Sequence, residues 1–162
     1  MTDGAGDDRR TRLLAQLPRL ADRGFTITSQ ATCDYNCVAW SLENATQNWW
    51  PVDIGGYFWP TGATEPSLPD FEHVYADLGY SKCEHLNHEG DADQVAIYVD
   101  PSGIPRHASR RLGNGNWTSK LGDFEDVEHP DVNGVCCDSY GETVIVLCRP
   151  PQRPIRRPAE SD

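Results

Sequence analysis

From residue 94 onward the chain is a succession of short segments rich in Val, Ile, Thr, Tyr and Trp, each closed by turn-forming residues. An antiparallel sheet is the arrangement that accepts such a pattern. Residues 94–99 (Gln-Val-Ala-Ile-Tyr-Val) read as a strand, and Pro101-Ser-Gly-Ile104 as a turn. Residues 106–112 make a second strand, Gly113-Asn-Gly-Asn116 a hairpin connection, and residues 117–121 a third strand. Residues 143–148 (Thr-Val-Ile-Val-Leu-Cys) close the sheet with its most apolar strand.

The first half follows a different period. Leu13, Leu14, Leu17 and Leu20 recur at helical spacing within 9–24, where Pro18 allows only a first turn or a kink and Gly24 is a stop. Thr32, Asp34 and Asn36 are helix-start signals ahead of Val38, Ala39 and Leu42, which predicts a helix beginning near Asn36 or Cys37. Residues 69–80 resemble a helix of two or three turns, capped by Asp70 and ended by Gly79. Helices first and antiparallel strands second give an α+β fold, with N-terminal helices packed on the sheet. The expected organisation is a disordered stretch over 1–8, one domain over 9–149, and an extended Pro- and Arg-rich tail over 150–162.

The formal charge of −11, from 25 acidic against 14 basic side chains, repels a phosphate backbone and an anionic bilayer alike. Nucleic acid and membrane are therefore not expected partners. No apolar run approaches the roughly 20 residues of a membrane span, and the first residues lack the basic-then-apolar order of an export signal. The expected location is cytoplasmic. The six cysteines, at 33, 37, 83, 136, 137 and 148, are irregularly spaced and are expected to be reduced thiols.

A cysteine attacks as its thiolate, and a helix start or a nearby imidazolium is the common means of stabilising that form. Cys37 falls at a predicted helix start. Of the five histidines, His107 alone lies inside a predicted strand, where its ring can be held rigidly against a neighbouring helix. A third residue would fix the imidazole, and its identity depends on the hairpin. A three-residue loop over 114–116 sets His107 opposite Asp123, a tight Asn114-Gly115 turn sets it opposite Gly122, and Ser119 is the other polar choice. The bland alternatives are a small buried thiol on a helix and a core histidine.

Trp49, Trp50, Tyr57, Phe58 and Trp59 crowd a Pro- and Gly-rich stretch over 48–69, where Trp49, Trp50, Tyr57 and Trp59 either wall a groove for a peptide or glycan or form a satellite core under the loop. Lys120, at a strand end, either binds an anion or carboxylate or is solvated, and Arg106, Arg110 and Arg111, which flank His107, either donate to a substrate carboxylate or pair with the many surface acids. Cys83-x-His85-x-x-His88 with Cys136 and Cys137 matches no strong zinc spacing, so no metal or other cofactor is expected.

Several segments carry a likeness: Asn36-Cys-Val-Ala-Trp40, Trp49-Trp-Pro51, Tyr57-Phe-Trp-Pro60, Val95-Ala-Ile-Tyr98, His107-Ala-Ser-Arg110 and Trp117-Thr-Ser-Lys-Leu-Gly122. Over roughly 33–149 the chain resembles a family of uncharacterised microbial domains that is itself similar to a divergent branch of the papain-like cysteine peptidases and amidases, of the NlpC/P60 type. That resemblance implies Cys37 as nucleophile, His107 as base and a polar third residue. Relatives often carry the histidine where this chain has Gln94, and for the oxyanion the chain offers Gln30, Asn36 or main-chain N–H groups. The expected function is a thiol hydrolase or acyltransferase acting on a peptide, protein or other amide or acyl substrate. The alternative is a non-catalytic binding module that uses the aromatic loop and the same pocket.

Overall fold

The structure, a computed structural model, describes residues 4–83 and 92–150. Its strands are β1 (Thr26–Ile27), β2 (Asn48–Trp49), β3 (Tyr57–Phe58), β4 (Ser81–Lys82), β5 (Asp93–Val99), β6 (Pro105–Arg111), β7 (Trp117–Lys120), β8 (Asp126–His129) and β9 (Thr143–Arg149). Seven of them form one sheet in the order β1-β8-β7-β6-β5-β9-β4, every pairing antiparallel, while β2 and β3 make a separate parallel pair. Near-continuous burial along β5 fits its position between β6 and β9, covered on both faces.

The pleat divides the core in two. Ala96 and Tyr98 face the first two helices, α1 (Gly4–Gln16) and α2 (Leu20–Arg23), where Leu13, Leu17 and Leu20 are buried against Trp117 and Val127. Each such leucine is worth roughly 1.5–3 kcal/mol of transfer free energy. Val95, Ile97 and Val99 face the other way, toward α3 (Cys37–Ser41) and α4 (Leu68–Asp77), and pack with Val38, Phe71 and Tyr75. The fold is thus α+β, dominated by an antiparallel sheet with a few helices on it.

Several expectations are corrected. The helix expected over 9–24 is two, since α1 runs from Gly4 to Gln16 and breaks before Pro18, which cannot supply the N–H that would continue it. Helix α4 is capped by Ser67, whose hydroxyl accepts from the Asp70 N–H. Asp70 instead accepts the Trp59 indole N–H at 2.7 Å. Gly79 does end that helix, through the Tyr80 N–H donating to the Tyr75 carbonyl. The β6–β7 loop is Gly113–Asn114–Gly115: Arg111 pairs with Trp117, Leu112 N–H bonds the Asn116 carbonyl, and Gly115 takes φ 92°. Neither sequence register survives, since a glycine at 115 lets the turn close one residue earlier than a tight Asn114-Gly115 turn. Strand β8 has no strand signal in Asp-Val-Glu-His, yet it pairs with β7 along its whole length.

The expectation of six reduced thiols is also overturned. Pairing of β4 with β9 brings Cys83 to Cys148, with Cα atoms 5.1 Å apart, and the two form a disulfide. Cys33, Cys37, Cys136 and Cys137 are free thiols. The tail over 151–162, and His85 and His88 of the considered zinc pattern, lie outside the described residues. No helix among the described residues is long and apolar enough to cross a membrane.

Candidate functional site

Asn36 begins α3, as its extended backbone and short polar side chain dictate: its Oδ1 accepts from the Ala39 N–H and also from the Trp49 N–H, while its Nδ2 donates to the Trp49 carbonyl. Both acceptor sites of the amide and one of its two N–H donors are spent on the main chain. Asn36 therefore fixes the start of α3 against β2. The next residue, Cys37, is buried, and its sulfur is faced by the N–H groups of Ala108, Val38 and Cys37 itself.

Ala108 matters because it follows His107. Strand β6 pairs with β7 only over Ser109–Arg111, so the ladder has ended before Ala108, and Cys37 comes against the strand there. The structure thus brings Cys37 to the His107–Ala108 peptide. The imidazole leaves the strand on the face of its β5 neighbour Tyr98, opposite the face on which Ala108 packs with Cys37. No hydrogen bond links thiol and ring: both ring nitrogens of His107 are buried and without a partner among the described residues.

What holds the ring is aromatic contact. Tyr140 stacks on it with centroids 4.0 Å apart and planes 7° from parallel, and Tyr98 lies 5.1 Å away. Tyr140 reaches this place from the turn between Cys137 and Gly141, which closes with a 2.7 Å bond from the Gly141 N–H to the Cys137 carbonyl. Gly141 has φ 96°, and a Cβ there would lie 1.9 Å from the Val99 carbonyl oxygen, so only glycine lets this turn lie on the end of β5. Sequence reasoning missed Tyr140. The signal was Ser139-Tyr-Gly141 beside a Cys pair, which shows a turn but not what the turn touches.

The electrostatics keep the pair neutral at rest. Burial pushes the Cys37 thiol up to about 11, against the pull of the three N–H groups and the Lys120 charge. The expectation of a helix start lowering it fails because α3 has five residues, too short a dipole to offset burial. Burial likewise pushes His107 down to about 3, helped by His129. The hydroxyl of Tyr140 is raised by burial and, to a lesser degree, by the fields of Cys37 and Cys137.

The proposed third residues lie elsewhere. Asp123 is exposed on the β7–β8 turn and does not reach His107. Ser119 is fully buried and shares a 2.9 Å hydrogen bond with His129 Nε2, whose Nδ1 is 2.8 Å from the Asp131 carbonyl. Lys120 is fully buried, neither solvated nor open to an anion, and its ammonium donates to the carbonyls of Thr32 and Gly122 and lies 5.0 Å from the centre of the Tyr35 ring. Desolvation lowers its pKa. Tyr35 donates to Asp126 at 2.8 Å, and burial with that bond raises the phenol to about 12. Lys120 thereby ties the segment leading into α3 to the β7–β8 turn. Arg110 bonds the Trp40 carbonyl and covers its ring, while Arg106 pairs with Asp100. Gln30 is exposed.

The aromatic loop combines both readings. Trp50 and Trp59 pack on Phe71, and Trp49 packs on Phe58. Ile54, Tyr57 and Phe58, by contrast, are 62%, 47% and 42% exposed. Among the described residues no group of three or more His, Cys, Asp or Glu could hold a metal ion, and Cys83 is taken by its disulfide.

No curated protein and no solved structure matches the chain. A family model does: that of the Domain of unknown function (DUF7689) matches residues 26–148, a span that includes Cys37, His107 and Tyr140, and the chain belongs to that family.

Proposed function

We propose that the protein is a thiol hydrolase or acyltransferase acting on an amide or acyl bond, on a divergent papain-like core, with Cys37 as nucleophile and His107 as base. The observation that carries this is the orphaned imidazole next in sequence to the Ala108 N–H that faces the thiol. Two buried ring nitrogens without partners cost on the order of 1–3 kcal/mol each, and a ring kept in a core at that expense calls for a use. At neutral pH the ring is uncharged, so one nitrogen keeps a lone pair for the thiol proton.

Both groups rest neutral on opposite faces of β6, and the reading requires substrate to displace the ring from Tyr140 and to turn the His107–Ala108 peptide, which β7 no longer holds, toward the thiol. The sulfur then attacks the carbonyl carbon as its proton passes to His107. The N–H groups of Cys37, Val38 and Ala108, which already face the sulfur, stabilise the oxyanion. Collapse expels the amine or alcohol with the proton returned by His107, and water or a second amine takes the acyl group from sulfur. No cofactor enters these steps.

Acyl transfer from a peptide 4-nitrophenyl ester, mapped by mass spectrometry, tests the proposal. The acyl group should appear on Cys37, and its transfer should slow about a hundredfold in His107→Phe. An acyl group found only on exposed Cys33 would refute it.

A second reading is favoured by one observation, the three exposed apolar side chains within five residues at Ile54, Tyr57 and Phe58. On that reading the protein is a binding module and Cys37 is packing. Loss of a partner on Phe58→Ser but not on Cys37→Ala would select it.

A further inference from the structure

Strand β7 carries a buried charge on the thiol's side of the sheet. Ser109 and Ser119 are register partners on the opposite face, where Ser109 meets the Tyr98 hydroxyl and Ser119 meets His129. Thr118 and Lys120 therefore face α3, and the Trp40 indole of that helix donates to the Thr118 hydroxyl at 2.9 Å. One further step in the β6–β7 register sets Lys120 beside Ala108, the residue whose N–H faces the Cys37 sulfur. His107 points to the other face, whereas Lys120 shares a face with the thiol.

The ammonium has a donor to spare. Of its three N–H groups, one meets the Thr32 carbonyl at 2.6 Å and another the Gly122 carbonyl at 2.5 Å. Asp126, its cross-strand partner on β8, forms no ion pair with it: Oδ2 accepts from Tyr35, and Oδ1 is buried without a partner among the described residues. Tyr35, whose ring centre lies 5.0 Å from the ammonium, stays a neutral phenol. Asp123, Cys33 and Cys37 are the other ionisable groups that act on Lys120, and of these Asp123 and Cys33 are exposed to water. Cys37 is the buried one. A desolvated ammonium favours an anion close to it far more than it would in water.

We infer that the Lys120 ammonium is the counter-charge of the Cys37 thiolate. The inference deepens the thiol reading and rests on it for the nucleophile. In the attack the thiol proton passes to His107, and the sulfur keeps the electron pair that forms the bond to carbon. Lys120 keeps all three of its protons and matches the charge on sulfur without reacting.

The test reads thiolate formation and needs no substrate. The full chain is alkylated with iodoacetamide at mildly alkaline pH, with Cys37 and Cys33 followed by mass spectrometry and the fold checked by circular dichroism. Lys120→Met, of similar length and without charge, should slow Cys37 about tenfold with Cys33 unchanged. A merely structural lysine would act in the opposite sense, since its loss loosens the site and speeds alkylation. Asp126→Asn removes the carboxylate that opposes the ammonium's field and should speed Cys37 about threefold, a gain that Lys120→Met in the same chain should cancel. Where Lys120→Met does not fold, Asp126→Asn decides. Cys37 rates unchanged or raised in folded Lys120→Met, or unchanged or lowered in Asp126→Asn, would overturn the inference and leave acyl transfer through Cys37 and His107 standing. Should the rates move as stated while Cys37 never carries an acyl group, the counter-charge stands and the hydrolase reading falls.

Discussion

Gly141→Ala is the substitution through which backbone geometry most directly reaches the candidate centre. The new Cβ would lie 1.9 Å from the Val99 carbonyl oxygen and 2.8 Å from the Asp100 nitrogen, both main-chain atoms that cannot swing aside, and the residue would have to hold φ 96°. The left-handed backbone alone costs an alanine about 1 kcal/mol. Relief requires the turn to lift off β5, which forfeits the Gly141–Cys137 hydrogen bond and the stacking of Tyr140 on His107, each worth about 1 kcal/mol. The expected loss is about 3 kcal/mol, a fall of about 9 °C in thermal midpoint for a domain of this size. Gly103→Ala is the matched control, since Gly103 has φ 82° but open space around its Cβ position, and it should lose only about 3 °C. Thermal and urea unfolding of both variants decide the matter. Equal losses in the two would show that the turn is not pinned against Val99 and that the account of how Tyr140 is held is wrong.

Replacing the orphaned ring should separate stability from chemistry. His107→Phe keeps the stack on Tyr140 and removes two unpaired polar atoms, so unfolding free energy should hold or rise by about 1 kcal/mol while acyl transfer is lost; a loss of more than about 1 kcal/mol would show that the nitrogens are satisfied. Stability should fall as the solution is acidified. His107 stays unprotonated to about pH 3 in the fold but takes a proton near 6.5 when unfolded, so unfolding binds protons in that window. It contributes a slope of about 1.4 kcal/mol per pH unit, absent in His107→Phe. Burial shifts His129 in the same direction, so some slope remains in the variant. Reducing the Cys83–Cys148 bridge, which spans 65 residues, should lower unfolding free energy by about 2–4 kcal/mol, read by urea titration with and without reductant. An unchanged midpoint would mean that the bridge does not constrain the unfolded chain.

The sequence made some features legible and hid others for physical reasons. Strands β5, β6, β7 and β9 announce themselves because their β-branched and aromatic residues pack on a pleated surface between turn formers. Strand β8 does not, because Asp126 and Glu128 are accommodated by partners far away in sequence, Tyr35 in the first case and Asn114 and Asn116 in the second. The start of α3 at Cys37 was readable from Asn36. Its electrostatic consequence was not, since burial depends on what covers the thiol. Asp123 was proposed from a hairpin register that one glycine altered and Ser119 only as a nearby polar residue, while Tyr140 and the Cys83–Cys148 contact arise from how the sheet is wound, which no local pattern encodes.

The central claim, that His107 serves Cys37, is tested most directly by treating the folded protein at neutral pH with a peptide 4-nitrophenyl ester, which supplies the substrate's chain, and following acylation of each free cysteine by mass spectrometry. Exposed Cys33 sets the reference rate. Burial holds the Cys37 thiol up to about 11, so its acylation depends on a base and should fall about a hundredfold in His107→Phe, with Cys33 unchanged. Equal Cys37 rates in the wild-type chain and in His107→Phe would contradict the account.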